Sequence, residues 1–342
     1  MKGSVLCLDQ IAGRPAAALM LDGRLEDLAI DPAGDEPLPG AIYRAVADRP
    51  VKGMGGMFVK LPGNSGFLRQ VSGLAPGQRV LVQVSGPAET GKAIPVTTRL
   101  LFKSRFAIVT PGAPGLNISR RIKDQDLRDG LEAMAAEGMA GAAPDLGLIL
   151  RSACSEAEED AVAEDIAAMR GLAETVLADL DGGPELLVDG PSAHDLAWRD
   201  WLDPAPDDVA HEGSFADHGV TDAVQALLSP RVDLGEGHMM LEPTRALLAV
   251  DVNTGADTSP AAALKVNVAA ARELPRQLRL RGLGGQVVID FAPMPKRERH
   301  ILDQVIKAAF KGDGEAHLAG WTTLGLYELT RRRDRLALRD LL

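Results

Sequence analysis

The chain has 342 residues, a net charge of −11 at neutral pH, and ordinary fractions of charged and apolar residues. This length allows two or three domains with substantial cores, and the acidic balance argues against indiscriminate binding to nucleic acid. No apolar run approaches the roughly 20 residues of a membrane span, and the N-terminus lacks the basic and apolar regions of a signal peptide. We therefore expect a cytoplasmic protein with no membrane partner.

Charge is distributed unevenly along the chain. Residues 155–222 contain 19 acidic residues against two basic ones, whereas residues 251–342 contain 15 Lys or Arg against 11 Asp or Glu. Phosphate affinity depends on local basic residues, so any RNA site needs a basic face that is separate from the acidic segment. We interpret the acidic segment as a solvated face and not as a second metal site. Cys7 and Cys154 lie far apart in apolar runs, and we predict buried thiols.

Short apolar runs dominate the first hundred residues. Residues 5–8, 16–21 and 25–30 predict a hairpin or meander, and residues 31–40, which include three prolines, predict a linker. Five further short strands, separated by glycines, predict a small barrel of the oligonucleotide-binding type. These strands are predicted at residues 42–46, 57–59, 66–68, 80–84 and 94–98.

Strand-like and helix-like segments alternate beyond residue 101, which predicts a small α/β module followed by a less regular region. The predicted elements are a helix at 124–139, a strand at 146–150, helices at 156–180, 194–202 and 215–228, and a hairpin at 231–242.

Two apolar runs, at residues 246–250 and 286–289, predict buried strands, and the amphipathic stretch at 260–280 predicts a crossover helix between them. Strands of such a β–α–β unit are parallel, and ligands of open α/β sheets bind at the carboxyl ends of the strands. We therefore expect Asp251 and Asp290, one after each run, to meet at the same edge of the sheet.

These two carboxylates and the nearby Asn253 amide supply only oxygen ligands. Such a set suits Mg²⁺ and a phosphate-bearing substrate. The competing interpretation is that each aspartate is a helix N-cap or a turn residue. After this unit, the sequence predicts a helix at 296–310, a strand-like run at 321–329 and a basic run at 331–335.

Two glycine-rich segments do not support a nucleotide site. GPAETGKA at 86–93 has the glycine and lysine spacing of a phosphate-binding loop, but Ala93 lacks the hydroxyl that holds Mg²⁺ and no helix pattern follows. The glycines at 282–285 precede a predicted strand, whereas a dinucleotide fingerprint follows one.

Four blocks follow one another in the last third of the chain: DVNTG at 251–255, Asn267, the basic run at 276–285 and VIDF at 288–291. Their order and spacing resemble the catalytic subdomain of the ribonuclease E/G family. The block at 41–68 is similar to the S1 RNA-binding domain of the same family.

The resemblance implies a multi-domain α/β fold. The implied domains are an RNase H-like discontinuous domain (1–37 plus 185–245), an S1 barrel (38–100), a 5′-sensor-like α/β module (101–184) and a DNase I-like catalytic metal-binding subdomain (246–342). Longer family members continue with a Cys-x-x-Cys zinc link and a small dimerisation domain. This sequence contains neither, so we expect no zinc-linked tetramer but a monomer, or a dimer through another surface.

The resemblance also implies roles for individual residues. Asp251 and Asp290 would hold catalytic Mg²⁺, with Asn253 in support. Arg151 and Ser152 stand where the family has an Arg-Thr pair that recognises the 5′ monophosphate of RNA, although an arginine at a strand end is often only solvated. The implied RNA contacts are Phe58, Phe67, Lys92, Arg120, Arg121, Arg331 and Arg332. The alternative for the two phenylalanines is barrel core, and for the arginines an exposed basic surface.

The predicted metal site and the resemblance together predict a Mg²⁺-dependent endoribonuclease that acts on single-stranded RNA in RNA processing or decay. The resemblance implies products with 5′-phosphate and 3′-hydroxyl ends. This mechanism needs no histidine as general base, and none of the six histidines lies in the two metal blocks. One alternative is an RNA-binding protein of the same fold with little or no catalysis. A weaker alternative is an α/β phosphotransferase, which lacks a credible nucleotide loop.

Overall fold

The computed structural model describes residues 2–34, 36–51, 55–88 and 91–342. The chain forms two compact units. The first unit comprises Met1–Arg14, Ala18–Ile30 and Ala210–Leu342, and the second comprises Pro15–Ala17 and Asp31–Val209. The RNase H-like and DNase I-like arrangements and the four domain boundaries stay predictions.

The N-terminal meander is confirmed. Its strands are β1 (Ser4–Ile11), β2 (Arg14–Leu21) and β3 (Arg24–Ile30), which lie side by side in one sheet. The turn between β2 and β3 places Asp22 and Gly23 at φ angles of 50° and 76°. Glycine and aspartate are among the residues that tolerate this left-handed conformation in tight hairpins.

The predicted barrel is also confirmed, in the second unit. Its strands are β4 (Ile42–Val51), β5 (Gly56–Leu61), β6 (Asn64–Leu68), β7 (Arg79–Val84) and β8 (Ile94–Thr97). They follow the order β4-β5-β6-β8-β7, and β7 pairs back with β4, which closes the barrel. Alternate side chains such as Met57, Val59 and Leu61 fill its interior.

A four-stranded sheet with two helices follows in the same unit, as the alternating pattern predicts. Its elements are β9 (Phe102–Lys103), β10 (Ala107–Pro111), β11 (Gly115–Ile118), α1 (Gln125–Gly138), β12 (Leu146–Leu150) and α2 (Glu159–Ala178). The strand order is β11-β12-β10-β9. The Asp124 side chain caps α1 by accepting a hydrogen bond from Leu127 N at 3.0 Å. The later elements are β13 (Glu185–Val188), which pairs with β4, α3 (Ala193–Asp200) and β14 (Asp208–Ala210).

The first unit is built on a six-stranded sheet of order β15-β16-β17-β18-β20-β19. Its elements are α4 (Ser214–Asp217), α5 (Val220–Leu227), β15 (Arg231–Asp233), β16 (Gly237–Pro243), β17 (Leu247–Thr254), α6 (Pro260–Leu280), β18 (Gly285–Asp290), α7 (Arg299–Ala309), β19 (Ala316–Trp321), β20 (Tyr327–Arg331) and α8 (Leu338–Leu341). Strands β17 and β18 are parallel and joined by α6, so the predicted β–α–β unit is confirmed.

Two predicted elements differ from those observed. The helix predicted at 215–228 is divided into α4 and α5, because Gly219 adopts a left-handed φ of 71° between them. The run predicted as one strand at 321–329 instead contains the turn that joins β19 to β20. Strand β20 alternates buried and exposed side chains, but the turn before it reverses the chain against β19.

Two further expectations concern burial. Cys7 and Cys154 are free and buried, as predicted. Burial raises the pKa of the Cys154 thiol to about 11, which makes it unreactive. Across the described ranges, no helix combines the length and apolar character needed to cross a bilayer.

Candidate active site

Asp251 and Asp290 lie opposite each other on adjacent strands of the first unit. Asp251 on β17 pairs in register with Asp290 on β18. Adjacent strands are about 4.8 Å apart, and paired residues of a parallel ladder point to the same face of the sheet. The two carboxylates are therefore neighbours. Asp251 lies inside its strand, which continues to Thr254, and not after the strand as the sequence suggested.

The face that carries the two carboxylates is set by the alternation of side chains along the strands. Val250, Val252 and Ile289 are buried in the core beneath α6, whereas Asp251 and Asp290 are exposed. Successive residues of a strand point to opposite faces, so packing α6 against the apolar side leaves both aspartates on the other side. Hydrophobic burial thus presents the two carboxylates to solvent together.

Asn253 lies two residues beyond Asp251 on the same face of β17. Its side-chain nitrogen donates a hydrogen bond of 2.7 Å to Asp251 Oδ2. This contact restrains the carboxylate of Asp251 and leaves its other oxygen, together with the Asp290 carboxylate, available to a ligand. Asn253 therefore acts on the site through Asp251.

The donor set fits Mg²⁺. Mg²⁺ is bound in many phosphate-processing proteins by one or two carboxylates, while water and substrate phosphate complete its octahedral shell. Over the residues that the structure describes, no group of three or more His, Cys, Asp or Glu side chains is arranged to hold a metal ion. A pair of exposed carboxylates without histidine or cysteine matches the hard, strongly hydrated Mg²⁺ better than Zn²⁺.

A buried asparagine supports the strand end that carries Asp290. Asn267 on α6 is fully buried, and its amide pairs with both backbone groups of Ala292 at 2.9 Å each. Ala292 follows Asp290 by two residues. The side chain of Asn267 therefore fixes the path of the chain as it leaves β18, a role that its position in a helical pattern did not reveal.

The hairpin of β15 and β16 adds polar residues that the sequence analysis did not assign to the site. His238 on β16 pairs with Asn253, so a histidine does lie beside the two metal blocks in space. It lines a cavity of about 520 Å³ with Arg231, Glu236 and Lys265. The pairing of β16 with β17 brings His238 next to Asn253, whereas Lys265 reaches the cavity from α6.

The barrel places Phe58 and Phe67 on its outer face and not in its core. They pair across β5 and β6 with ring centroids 5.2 Å apart, and the Arg49 guanidinium lies 4.8 Å from the Phe58 centroid. Gly56 makes this arrangement possible, because a Cβ atom at this position would overlap the Phe67 ring. Two half-buried rings beside a cation form a surface on which bases can stack.

The remaining predicted RNA contacts of the second unit are exposed. Lys92 is exposed in the loop between β7 and β8, and residues 89 and 90 of the rejected phosphate-loop motif lie outside the described residues. Arg120 and Arg121 are exposed in the turn after β11. Arg121 also reaches Ser152 Oγ and Asp203 Oδ2, at 3.2 Å each.

Arg151 and Ser152 follow β12, as predicted, but their polar groups have protein partners. Arg151 Nη2 lies 2.7 Å from Asp200 Oδ1, and the Ser152 hydroxyl donates a hydrogen bond to Asp203 Oδ2. The structure thus brings both residues of the predicted 5′-phosphate pocket together with two carboxylates.

The structure corrects the expected exposure of Arg331. Its side chain is buried, and it forms ion pairs with Asp313 at 2.8 Å and Asp334 at 2.9 Å. Burial favours the neutral form of Arg331, but hydrogen bonding to Asp313 and the charge of Asp334 outweigh this and raise its pKa. Two carboxylates therefore hold Arg331 within the sheet, and its role as an RNA contact stays a prediction. Arg332 is exposed, with its guanidinium 3.7 Å from Glu315.

Comparisons with known proteins identify the family of this chain. The model of the ribonuclease E/G family matches residues 102–213 and 205–334. A protein named ribonuclease E from Nostoc sp. is 28% identical over 93% of this chain and 54% of its own length. Proteins named ribonuclease G from Salmonella typhimurium and Escherichia coli are 25% and 24% identical over 92% and 94% of this chain, and over 76% and 78% of their own lengths.

The chain spans about half the length of the ribonuclease E relatives and about three quarters of the ribonuclease G relatives. The family match extends over every strand of the second unit's four-stranded sheet and of the six-stranded sheet of the first unit. The chain belongs to the ribonuclease E/G family.

Proposed function

We propose that this chain is a Mg²⁺-dependent endoribonuclease that cleaves single-stranded RNA in RNA processing or decay. The observation that carries the proposal is the in-register pairing of Asp251 with Asp290 on the exposed face of the sheet. Membership of the ribonuclease E/G family and the names of the relatives support the reaction class.

Each residue of the site has a separate task in this proposal. Asp251 and Asp290 hold the ion, and the hydrogen bond from Asn253 keeps the Asp251 carboxylate turned in one direction. Asn267 fixes the backbone just after Asp290. When bound, Mg²⁺ neutralises charge on the scissile phosphate and lowers the pKa of water. Hydrolysis breaks the bond between phosphorus and the 3′ oxygen, so we expect 5′-phosphate and 3′-hydroxyl products.

In this proposal the barrel binds the RNA strand. Phe58 and Phe67 offer stacking surfaces that accept any base, because every base has a flat π-face. A stacked base must be unpaired, which favours a single-stranded substrate. Exposed cations such as Lys92 and Arg120 would contact phosphates without reading sequence.

The test is cleavage of a labelled single-stranded oligoribonucleotide with and without Mg²⁺. Asp251→Asn and Asp290→Asn keep the side-chain size but remove a charge that the ion requires, so we expect each to slow cleavage by at least about 100-fold. Glu132→Gln removes an equivalent charge from an exposed position on α1 and serves as the control. Cleavage by both aspartate variants at the wild-type rate contradicts the assignment.

The same assay separates catalysis from binding alone. A wild-type protein that binds RNA in a salt-dependent way, ignores Mg²⁺ and leaves the RNA intact is an RNA-binding protein of this fold. RNA affinity of Asp251→Asn should remain close to wild type, because the stacking rings belong to the barrel.

A further inference from the structure

Four residues form a row across the exposed face of the six-stranded sheet. Arg231 on β15 pairs with Met240 on β16, and Met240 pairs with Asp251 on β17. Asp251 in turn pairs with Asp290 on β18. Directly paired residues point to the same face of a sheet, and neighbouring strands are about 4.8 Å apart. The backbone of Arg231 therefore lies about 10 Å from that of Asp251, on the face that carries the two carboxylates.

Arg231 is the cation of this row, and its charge is not neutralised by the protein. Its side chain is exposed, and within the described ranges its guanidinium forms no ion pair or hydrogen bond. Arg331 of the same sheet, by contrast, is held by two carboxylates. A guanidinium is always charged and offers parallel donors that fit a phosphate. Arg231 can therefore bind an anion without losing a contact inside the protein.

A cavity lies beside this row, between the β15–β16 hairpin, the loop after β17 and the first turns of α6. We call it the hairpin cavity; its volume is about 520 Å³, and Arg231 and His238 line it. Sites for small ligands have volumes of this order, so a nucleoside fits. His238 is half-buried and pairs with Asn253, which places it between β15 and the metal carboxylates. Imidazole is one of the rings on which RNA bases stack.

The carboxylates of the hairpin cavity have partners other than Arg231. Asp233 and Asp257 each accept a hydrogen bond of 2.8 Å from a backbone N–H two residues ahead. Glu236 lies 3.5 Å from the Lys265 ammonium. A lining that mixes donors and acceptors suits the polar edge of a base and its ribose, and Arg231 supplies the charge that a phosphate requires.

We propose that the hairpin cavity is an RNA subsite, in which Arg231 binds a phosphate next to the scissile one and His238 contacts the nucleoside between the two phosphates. The inference rests on the proposed ribonuclease activity, because an ion at Asp251 and Asp290 places the scissile phosphate. It assigns to Arg231 the task of aligning the strand. With one phosphate at the two carboxylates and the next at β15, the RNA backbone crosses the exposed face of the sheet along the row.

The experiment removes either charge of the proposed contact, on the protein or on the RNA. Arg231→Gln removes the guanidinium. In a single-stranded oligoribonucleotide with one cleavage site, methylphosphonates neutralise the linkages on each side of the scissile one, one at a time. In the wild type, one of these linkages should raise KM about tenfold, the usual effect of losing a charge-assisted hydrogen bond. Arg231→Gln should raise KM about tenfold on the charged RNA and show no further loss with that neutral linkage.

Two further variants assign the effect to the hairpin cavity. Arg245→Gln removes the same charge from an exposed position in the turn between β16 and β17, about 20 Å along β17 from Asp251, and should behave as wild type. His238→Ala removes the ring and should raise KM about threefold while the sensitivity to the neutral linkage remains. Equal losses in Arg231→Gln and Arg245→Gln, or additive losses in the cycle, overturn the phosphate contact. A wild-type KM for His238→Ala overturns the position of the nucleoside.

A binding measurement keeps this test independent of catalysis. Fluorescence anisotropy of the labelled RNA without divalent ions gives the dissociation constant over a range of salt concentrations. Losing one phosphate contact to single-stranded RNA should lower the slope of log Kd against log salt by about 0.7 in Arg231→Gln and leave it unchanged in Arg245→Gln. If the wild type cuts no RNA, the proposed function fails, but this difference between the two variants still supports the subsite. An unchanged slope in Arg231→Gln contradicts the subsite whether or not RNA is cut.

Discussion

Two sites on this molecule resemble functional motifs of the same family and differ in how their charges are satisfied. At the metal edge, defined by Asp251, Asn253 and Asp290, the carboxylates are exposed, and neither forms a salt bridge within the part of the chain that the structure describes. At the charged cluster, defined by Arg151, Ser152, Asp200 and Asp203, cations and carboxylates neutralise one another.

The contrast shows how the neighbours of a charged group set what it gains from a ligand. Like charges on one exposed face repel each other and gain from a bound cation. Donors that already hold internal acceptors must exchange these contacts for those of a ligand, so the net gain is smaller. The metal edge therefore gains from an ion directly, whereas the charged cluster binds a ligand by exchange.

The largest effect should come from replacing Asn267, which supports the strand end that carries Asp290. Replacing Asn267 by leucine leaves the N–H and carbonyl of Ala292 buried without partners, and we expect a loss of about 3 kcal/mol in the free energy of unfolding. Chemical denaturation measures this loss. Gln225→Leu, at an exposed position on α5, is the control and should change stability by less than about 0.5 kcal/mol. A small effect for Asn267→Leu would show that the loop after β18 is held by other contacts.

The ion pairs of Asp200 should make the free energy of unfolding depend on pH. Burial raises the pKa of Asp200, but hydrogen bonds from Arg199 and Lys103 outweigh this and lower it from 3.8 to about 2 in the folded state. The contribution of Asp200 to stability is therefore present above pH 4 and is lost as pH falls towards 2. A shift of this size corresponds to about 2 kcal/mol. The measurement compares unfolding free energies at pH 5 and pH 2.5 for the wild type, Asp200→Asn and Glu132→Gln. The acid-dependent loss should shrink in Asp200→Asn alone, and an equal loss in all three proteins would contradict this account.

A smaller effect is expected at Asn253. Replacement by alanine removes the hydrogen bond that restrains Asp251 but keeps both carboxylates, so cleavage should slow about tenfold and require more Mg²⁺. A Mg²⁺ titration of the cleavage rate measures both changes. If the rate falls while the Mg²⁺ requirement stays that of the wild type, Asn253 acts on the RNA and not through Asp251.

The smallest effect should come from the barrel. Phe58→Leu keeps an apolar side chain but removes a stacking surface, and we expect RNA affinity to fall by about 1 kcal/mol, or roughly fivefold. The relative affinity for 5′-phosphate and 5′-hydroxyl RNA should not change, because the charged cluster and the rings are separate features. Fluorescence anisotropy with both RNAs tests this, and a changed ratio would link the two.

The sequence predicted the parts of the fold that depend on local pattern. The β–α–β unit followed from two apolar runs and a helical period, and the pairing of Asp251 with Asp290 followed from the parallel strands that this unit requires. The five barrel strands followed from alternation and glycine spacing. The prediction of one helix at 215–228 was wrong, because Gly219 interrupts the helical pattern.

The parts that could not be predicted depend on contacts between distant residues. The sequence around Arg331 suggests an exposed cation, but in the structure its side chain pairs with Asp313, 18 residues away. Asp200 and Asp203 reach Arg151 and Ser152 across about 50 residues, and nothing in the local sequence links them. His238 meets Asn253 only because β16 pairs with β17. Pairing of this kind decides which charges are neutralised within the protein.

Side chains of β18 alternate between the two faces of the sheet, so the position of Asp290 depends on how β18 aligns with β17. Sliding β18 by one position against β17 would turn Asp290 towards α6 and turn Ile289 out to water. Burying a lone carboxylate and exposing an isoleucine are both unfavourable, so the misaligned form is excluded by the same apolar contacts that build the core. The apolar core and the position of Asp290, the proposed metal ligand, therefore depend on one alignment, so we expect a substitution that loosens the core beneath β18 to displace Asp290 as well.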